Sequence, residues 1–283
     1  MNARTRETAA FWAMRLTAYS VVVIVGYIVV DIVVRGAGTI SIPFLTEPMR
    51  KSGLEGGILP AIAGTFWLVA CAIAAALPLG VACAIYLTEY ARPSRFTDMV
   101  RLAITTLAGV PSIVFGLFGL GLFVYQLKFG QSILAGGLTL ACLILPTIIV
   151  ASEEALRAVP ADFRAGSMAL GATKWYTIRT NVLPYALPGI MTGSILGVGR
   201  AAGETAPILL TVAAAYLPFL PNSPMDKVAA LPYHLYYLAT QVPDMKAAEP
   251  MQYGTALVLI ALVLGMNLGA MLIRAYFSRK HRW

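Results

Sequence analysis

Charge is what this sequence has least of. Aspartate, glutamate, lysine and arginine make up 12% of its 283 residues, about half the ~25% typical of a soluble globular domain. Hydrophobic residues supply 59%, which excludes a water-soluble domain and places most of the mass in a bilayer. Histidine is scarcer still. His234 and His281 stand near no cluster of carboxylates or cysteines, so no metal site is expected. Cys71, Cys83 and Cys142 each fall inside an apolar run, as small hydrophobes without zinc-ligand spacing. They imply no redox compartment. No nucleophile and base come together, so the chain is expected to carry no catalytic site of its own. A phosphate-binding loop is missing too. Gly166 to Gly171 has the Gly-x4-Gly spacing, but Ala172-Thr173 follows where Lys and then Ser or Thr are required. The run Gly197 to Gly203 is one residue too long for a dinucleotide fingerprint, and it lies in an apolar span. No cofactor is expected, and any nucleotide chemistry belongs to another chain.

What the sequence does have is long apolar segments. Six reach the ~20 residues needed to cross the hydrocarbon: 16–34, 59–87, 100–125, 133–151, 186–213 and 253–276. The first follows Arg4, Arg6 and Arg15 but is too long for a secretory signal core, so it reads as an uncleaved span. The fold class is therefore all-α, a six-span membrane protein with both termini on one side. Basic residues choose the side. The N-terminus (Arg4, Arg6, Arg15), the second connection (Arg92, Arg95, Arg101), the fourth (Arg157, Arg164, Lys174, Arg179) and the tail (Arg274, Arg279, Lys280, Arg282) gather fourteen. The opposite face gathers six: Arg35, Arg50, Lys51, Lys128, Lys227 and Lys246. The termini should be cytoplasmic, and the net charge of +8 reflects orientation and anionic lipid rather than nucleic acid. Two outer connections are long. Residues 35–57 carry mixed charges; residues 217–251 are rich in proline and tyrosine, and pack back on the bundle or meet an external partner. Asp31 is expected at the interface. Pro60, Pro78, Pro111, Pro146, Pro188 and Pro207 lie within or near spans, as kinks or as the broken helices common in transporters.

Two polar features interrupt the apolar pattern. The first is the stretch 162–184, too short for a domain and too polar for lipid. Helix formers run to Leu170, Gly171 offers a turn, and the basic and aromatic run from Lys174 to Arg179 suits an interface before Leu183-Pro184 opens the next helix. A helix-turn-helix tied to the membrane at both ends is a docking device. The second is Arg200 and Glu204 inside the fifth span, where each charge costs about 2.5–3.5 kcal/mol on insertion scales. On an ideal helix Gly189, Gly193, Gly197, Arg200 and Glu204 fall within one sector of roughly 80°, a glycine face continued by an i,i+4 ion pair. A helix break at Gly203 would remove Glu204 from that sector. The pair either pins helices or offers a forked donor to a tetrahedral oxyanion, with the carboxylate accepting the proton that phosphate keeps at neutral pH. Arg157, after Glu153-Glu154, is a solvated charge or a contact at the inner mouth. Gly265 and Gly269 read as a helix-packing motif.

The polar stretch resembles the cytoplasmic coupling loop of ABC-importer permeases. Gly171 and Leu183-Pro184 match that family's pattern in register, while Ala165-Gly166-Ser167 stands in place of Glu-Ala-Ala, and Asn181 in place of Ile. The likeness extends over Gly64-Thr-Phe-Trp-Leu68, Leu77 to Val81, Ala84 to Ala91, Gly109-Val-Pro-Ser-Ile-Val-Phe-Gly116 and Gly199-Arg-Ala-Ala-Gly-Glu-Thr-Ala-Pro207. It is similar above all to the phosphate-uptake (Pst) permeases of the PstA type. The resemblance implies the type I importer (MetI-like) fold in a bacterial inner membrane. Residues 1–57 would form the first helix and outer loop, 58–276 the permease core with its coupling loop at 152–184, and 277–283 a basic tail. It implies a PstC-type permease partner, two PstB-type ATPases, a PstS-type external binding protein, and inorganic phosphate as substrate. By the same resemblance Arg200, Glu204 and Thr205 line the substrate path, and Ala165, Gly166, Ser167, Ala169, Leu170, Gly171 and Ala172 meet the ATPase. A permease for sulfate, molybdate or an organic phosphate, and an ion-coupled carrier, are the alternatives.

Overall fold

The computed structural model describes residues 3–280; His281 and Arg282 of the basic tail lie outside them. Helix α1 (Ala3–Gly36) leads to the short α2 (Ile42–Thr46) and an antiparallel pair, β1 (Met49–Arg50) with β2 (Glu55–Gly56). Helix α3 (Leu59–Ile85) ends in a π-helical turn over Tyr86–Tyr90. Then come α4 (Arg95–Leu107), α5 (Ser112–Gly119, extended by a π-helical stretch to Gln126) and α6 (Ile133–Arg157). A polar hairpin of α7 (Ala161–Ala169) and α8 (Lys174–Thr177) runs through a further π turn, Ile178–Val182, into α9 (Leu183–Gly203). The chain closes with α10 (Ala206–Thr211), a parallel pair of β3 (Ala213–Ala214) and β4 (Val228–Ala229), α11 (Leu231–Thr240) and α12 (Met245–Lys280).

Helix α6 is the axis of the bundle. Its most apolar window is 67% buried, against 0% for α1 and 6% for α12. Leu140, Leu143, Ile144 and Ile148 of α6 meet Leu68, Val69, Ala72 and Ala76 of α3, and Ala201 and Ala202 of α9. In lipid, close packing rather than the hydrophobic effect draws helices together, so small residues matter at these seams. A Cβ at Gly189 would stand 2.5 Å from that of Ala155, and one at Gly193 would run into Ala151. The glycine face of α9 is thus the seam against α6. A Cβ built at Gly265 or Gly269 of α12 would meet nothing among the described residues, so the two glycines are not what seats this stretch. Met266 and Asn267 between them do pack, on the core and on Gly199.

Among the described residues, five helices are long and apolar enough to cross a membrane, or six if one bent pair counts as a span. That pair is the expected third span, 100–125, which is not a single helix. Helices α4 and α5 meet at 103°. Gly109 and Pro111 cause the bend: proline has no N–H to continue the ladder and disfavours helix in the residue before it. Helix α4, at 13 residues, is about 20 Å long and cannot span alone. The expected fifth span, 186–213, is also broken, because α9 stops at Gly203 and α10 begins at Ala206. The last helix starts eight residues earlier than the expected 253, so the end of the second outer connection is helical. Pro60, Pro111 and Pro207 stand at helix starts, while Pro78, Pro146 and Pro188 are carried inside α3, α6 and α9.

The long connection between α10 and α12 folds back as a cap over one end of the bundle. Leu231 N–H donates to Thr65 Oγ1 at 2.9 Å, tying α11 to α3. Wholly buried His234 is its keystone. Its Nδ1 lies 3.0 Å from the carbonyl oxygen of Ala215, so Nδ1 carries the proton and donates. Nε2 is buried without a partner among the described residues, and the ring edge packs on Gly53, whose φ of +83° only glycine adopts cheaply. Burial pushes the imidazole below its ordinary value of 6.5. The unfolded cap therefore takes up a proton below about pH 6.5 that the folded cap refuses, and stability falls as pH drops, by at most ~1.4 kcal/mol per pH unit. Hydrogen exchange over residues 213–240, corrected for intrinsic rates, should be faster at pH 5.5 than at 7.5. His234→Gln should flatten that dependence.

Candidate functional site

The first polar site is the break after α9. Gly203 ends the helix, Glu204 is extended (φ −75°, ψ 133°) and Thr205 leads into α10 with Pro207 in its first turn. Arg200 and Glu204 stay together across the break, with Nε and Oε1 3.5 Å apart. The carboxylate is the more buried, its side chain 16% exposed against 33% for Arg200. Glu204 lines a small gap with Thr65, Leu68, Ala230 and Pro232. The pair therefore lies beneath the cap, nearer that end of the bundle than its middle. Among the described residues, the guanidinium of Arg200 makes no other ion pair and no hydrogen bond. With Nε turned to Glu204, the donors of Nη1 and Nη2 on a membrane helix are thus available to something outside this chain. Thr205, half-buried, stands next to the pair.

The second site is the hairpin. Gly171 makes the turn with φ +84°, and the Thr173 side chain caps α8 by accepting from Tyr176 N–H at 3.3 Å. The hydroxyls of Ser167 and Thr177 lie 2.9 Å apart and hold the two arms. Ala165, Gly166, Ala169, Leu170 and Gly171 are exposed, with Ser167 and Ala172 half-buried. A shallow cleft of about 590 Å³ opens between the arms, lined by Ser167, Leu170, Gly171, Ala172, Thr173, Tyr176 and Asn181. The helix-turn-helix expected from the sequence is present; five of its seven singled-out residues are exposed, and Ser167 and Ala172 line the cleft between its arms.

Sequence reasoning passed over the arginine contacts beneath the hairpin. Arg164 of α7 grips Glu89, with Nη2 2.6 Å and Nε 3.0 Å from Oε1. Arg101 of α4 donates to Glu153 of α6 at 2.7 Å and to the Leu87 carbonyl at 2.8 Å. Arg157 pairs with the same Glu153, beside a cleft of about 180 Å³. Polar residues at the ends of apolar spans were the available signal, but nothing local tells which charges meet across 50 to 75 residues. Asp31 pairs with Arg35 at 2.8 Å, which in turn reaches Glu249.

A bundle of apolar helices with a broken, charged span and a polar hairpin at one end defines a polytopic transport subunit. A family model described as binding-protein-dependent transport system inner membrane component matches residues 76–283. The chain is 32% identical to the probable ABC transporter permease protein YqgI of Bacillus subtilis, over 95% of each. It is 39% identical to phosphate transport system permease protein PstA 1 of Mycobacterium tuberculosis (strain H37Rv), over 80% of this chain and 72% of that one. Haemophilus influenzae PstA is 31% identical over 90% of this chain and 87% of its own length. Among solved structures, a chain of a bacterial alginate ABC transporter superposes with a TM-score of 0.68 at 12% identity, covering 94% of this chain and 93% of that one. The chain belongs to the binding-protein-dependent inner-membrane permeases of ABC transporters. Membership carries an inner-membrane location, the role of a transport component, and companions: a second permease, an ATPase and a binding protein.

Proposed function

We propose that the chain is the PstA-type permease of an ATP-driven phosphate importer. It forms the substrate path with a PstC-type permease, couples through the hairpin to two PstB-type ATPases, and receives phosphate from a PstS-type external protein. Both termini and the hairpin face the cytoplasm; the cap faces outward, where the binding protein delivers. Residues 58–276 act as the permease core and 152–184 as the coupling loop. Chemistry is left to the ATPases. The observation that carries this reading is Arg200, a cation in a membrane span whose guanidinium, among the described residues, has only the 3.5 Å pair of its Nε with Glu204. Its neighbour Glu204 supplies an acceptor, which suits an oxyanion that keeps a proton at neutral pH. Relatives named as phosphate permeases support the choice of phosphate over sulfate.

Uptake of labelled phosphate by cells deleted for this gene tests the proposal. Rescue by the wild-type gene, undiminished by a hundredfold excess of sulfate, is expected. Competition by sulfate, or rescue without any ATPase subunit, would reassign the substrate or the machine.

A further inference from the structure

The contacts of Arg164 place it where three elements meet. Its Nε and Nη2 hold the Glu89 carboxylate, Nη1 donates to the Val159 carbonyl at 2.8 Å, and Nη2 to the Leu156 carbonyl at 2.8 Å. One planar fork therefore joins the docking helix α7, the last turn of α6, and the π-helical end of α3. Glu89 is nearly enclosed, its side chain 7% exposed, so removing Arg164 would leave a buried carboxylate without its partner. The same π turn is held from two other sides. Lys174 of α8 stands 5.0 Å from the Tyr90 ring centroid, and Arg101 of α4 donates to the Leu87 carbonyl. Beneath it, Ala84 and Ile85 share an apolar cluster with Leu156, Ile178 and Val182, the last two from the π turn that leads into α9. π turns within α-helices are single adjustable steps that recur at functional positions. Two of them flank the hairpin on either side of this cluster.

We propose that Arg164 and Glu89 form the joint that passes movement of the hairpin into the membrane helices. This rests on the coupling role proposed above. They are positioning residues and touch no substrate. A displacement of α7 reaches the ends of α3 and α6 together because one rigid guanidinium holds both. Helices α3 and α6 continue to Leu68 and Leu140, which border the gap at Glu204. Hairpin and charged break are thus the two ends of one pair of levers. A lysine at 164 would keep the charge but not the fork, and could not hold carboxylate and carbonyls at once.

The test uses the assembled importer in proteoliposomes, with ATP hydrolysis and labelled phosphate transport measured on the same preparation. Glu89→Gln keeps the shape of the carboxylate and removes its charge. Phosphate moved per ATP hydrolysed should fall at least tenfold while the ATPases still co-purify. An unchanged ratio would overturn the joint. If Glu89→Gln fails to assemble, the deciding variant carries Glu89→Cys and Arg164→Cys with Cys71, Cys83 and Cys142 changed to alanine. A short bis-methanethiosulfonate linker across the pair should restore transport, and reductant should abolish it again. Transport indifferent to the linker would overturn the proposal. Failure of the wild-type importer to move phosphate or hydrolyse ATP would instead strike the functional reading beneath it.

Discussion

Arg200→Gln should lower phosphate uptake at least a hundredfold, with membrane levels and co-purifying subunits unchanged. Among the described residues the one ion pair of Arg200 is that at 3.5 Å to Glu204, so its loss removes little that holds the chain together. Two charge-assisted bonds to an oxyanion together contribute about 3–4 kcal/mol. At 1.4 kcal/mol per tenfold that is roughly 100- to 1,000-fold. Arg200→Lys should recover part of this, since a point charge remains but the fork does not. Glu204→Gln should cost less, near tenfold, because it replaces the charged acceptor for the phosphate proton by a weaker, neutral amide oxygen and leaves the donors of Arg200. It should also narrow the preference for phosphate over sulfate. Initial uptake rates at several phosphate concentrations, with the variants quantified in isolated membranes, check all three. Full uptake with Arg200→Gln would leave the pair as a helix pin.

The spans were legible because lipid imposes a simple demand: every backbone polar group must be satisfied within an apolar helix. Hence 16–34, 59–87 and 133–151 fall inside observed helices. The hairpin was legible for the opposite reason, as polarity where lipid forbids it, with Gly171 marking the turn. What periodicity could not report is continuity. The segments 100–125 and 186–213 are each apolar enough overall to read as one span, and hydropathy does not register that a ladder stops at Pro111 or at Gly203. The break changes the site itself, since on an unbroken helix Glu204 would follow the glycine face against α6. Released at Gly203, it turns beneath the cap, beside Thr65 and Ala230. The arginine contacts under the hairpin were illegible because Arg164 and Glu89 are 75 residues apart. Only the packing of α3 against α6 and α9 brings them together.

Leu170→Asp should release the ATPase from the permease, with retention falling at least thirtyfold, while the permease keeps its thermal stability. Leu170 is 90% exposed at the tip of a polar hairpin, with Met168 and Tyr176 exposed nearby. It supports nothing within its own chain, so changing it should not disturb the fold. A large side chain standing in water at the rim of a 590 Å³ cleft is placed to anchor a partner. Interface anchors contribute 2 kcal/mol or more, about thirtyfold in affinity. An aspartate adds the cost of burying a carboxylate without a partner. Leu170→Ala, which only removes contact area, should give the smaller effect. Co-purification of the ATPase with tagged permease measures both, and uptake should fall in step with retention. Full retention with Leu170→Asp would move the anchor to the cleft wall, where Tyr176 and Asn181 are the next side chains to change. With Ala165-Gly166-Ser167 in place of the family's Glu-Ala-Ala, that segment offers no acid for an ion pair, which makes the apolar tip the more telling position to change.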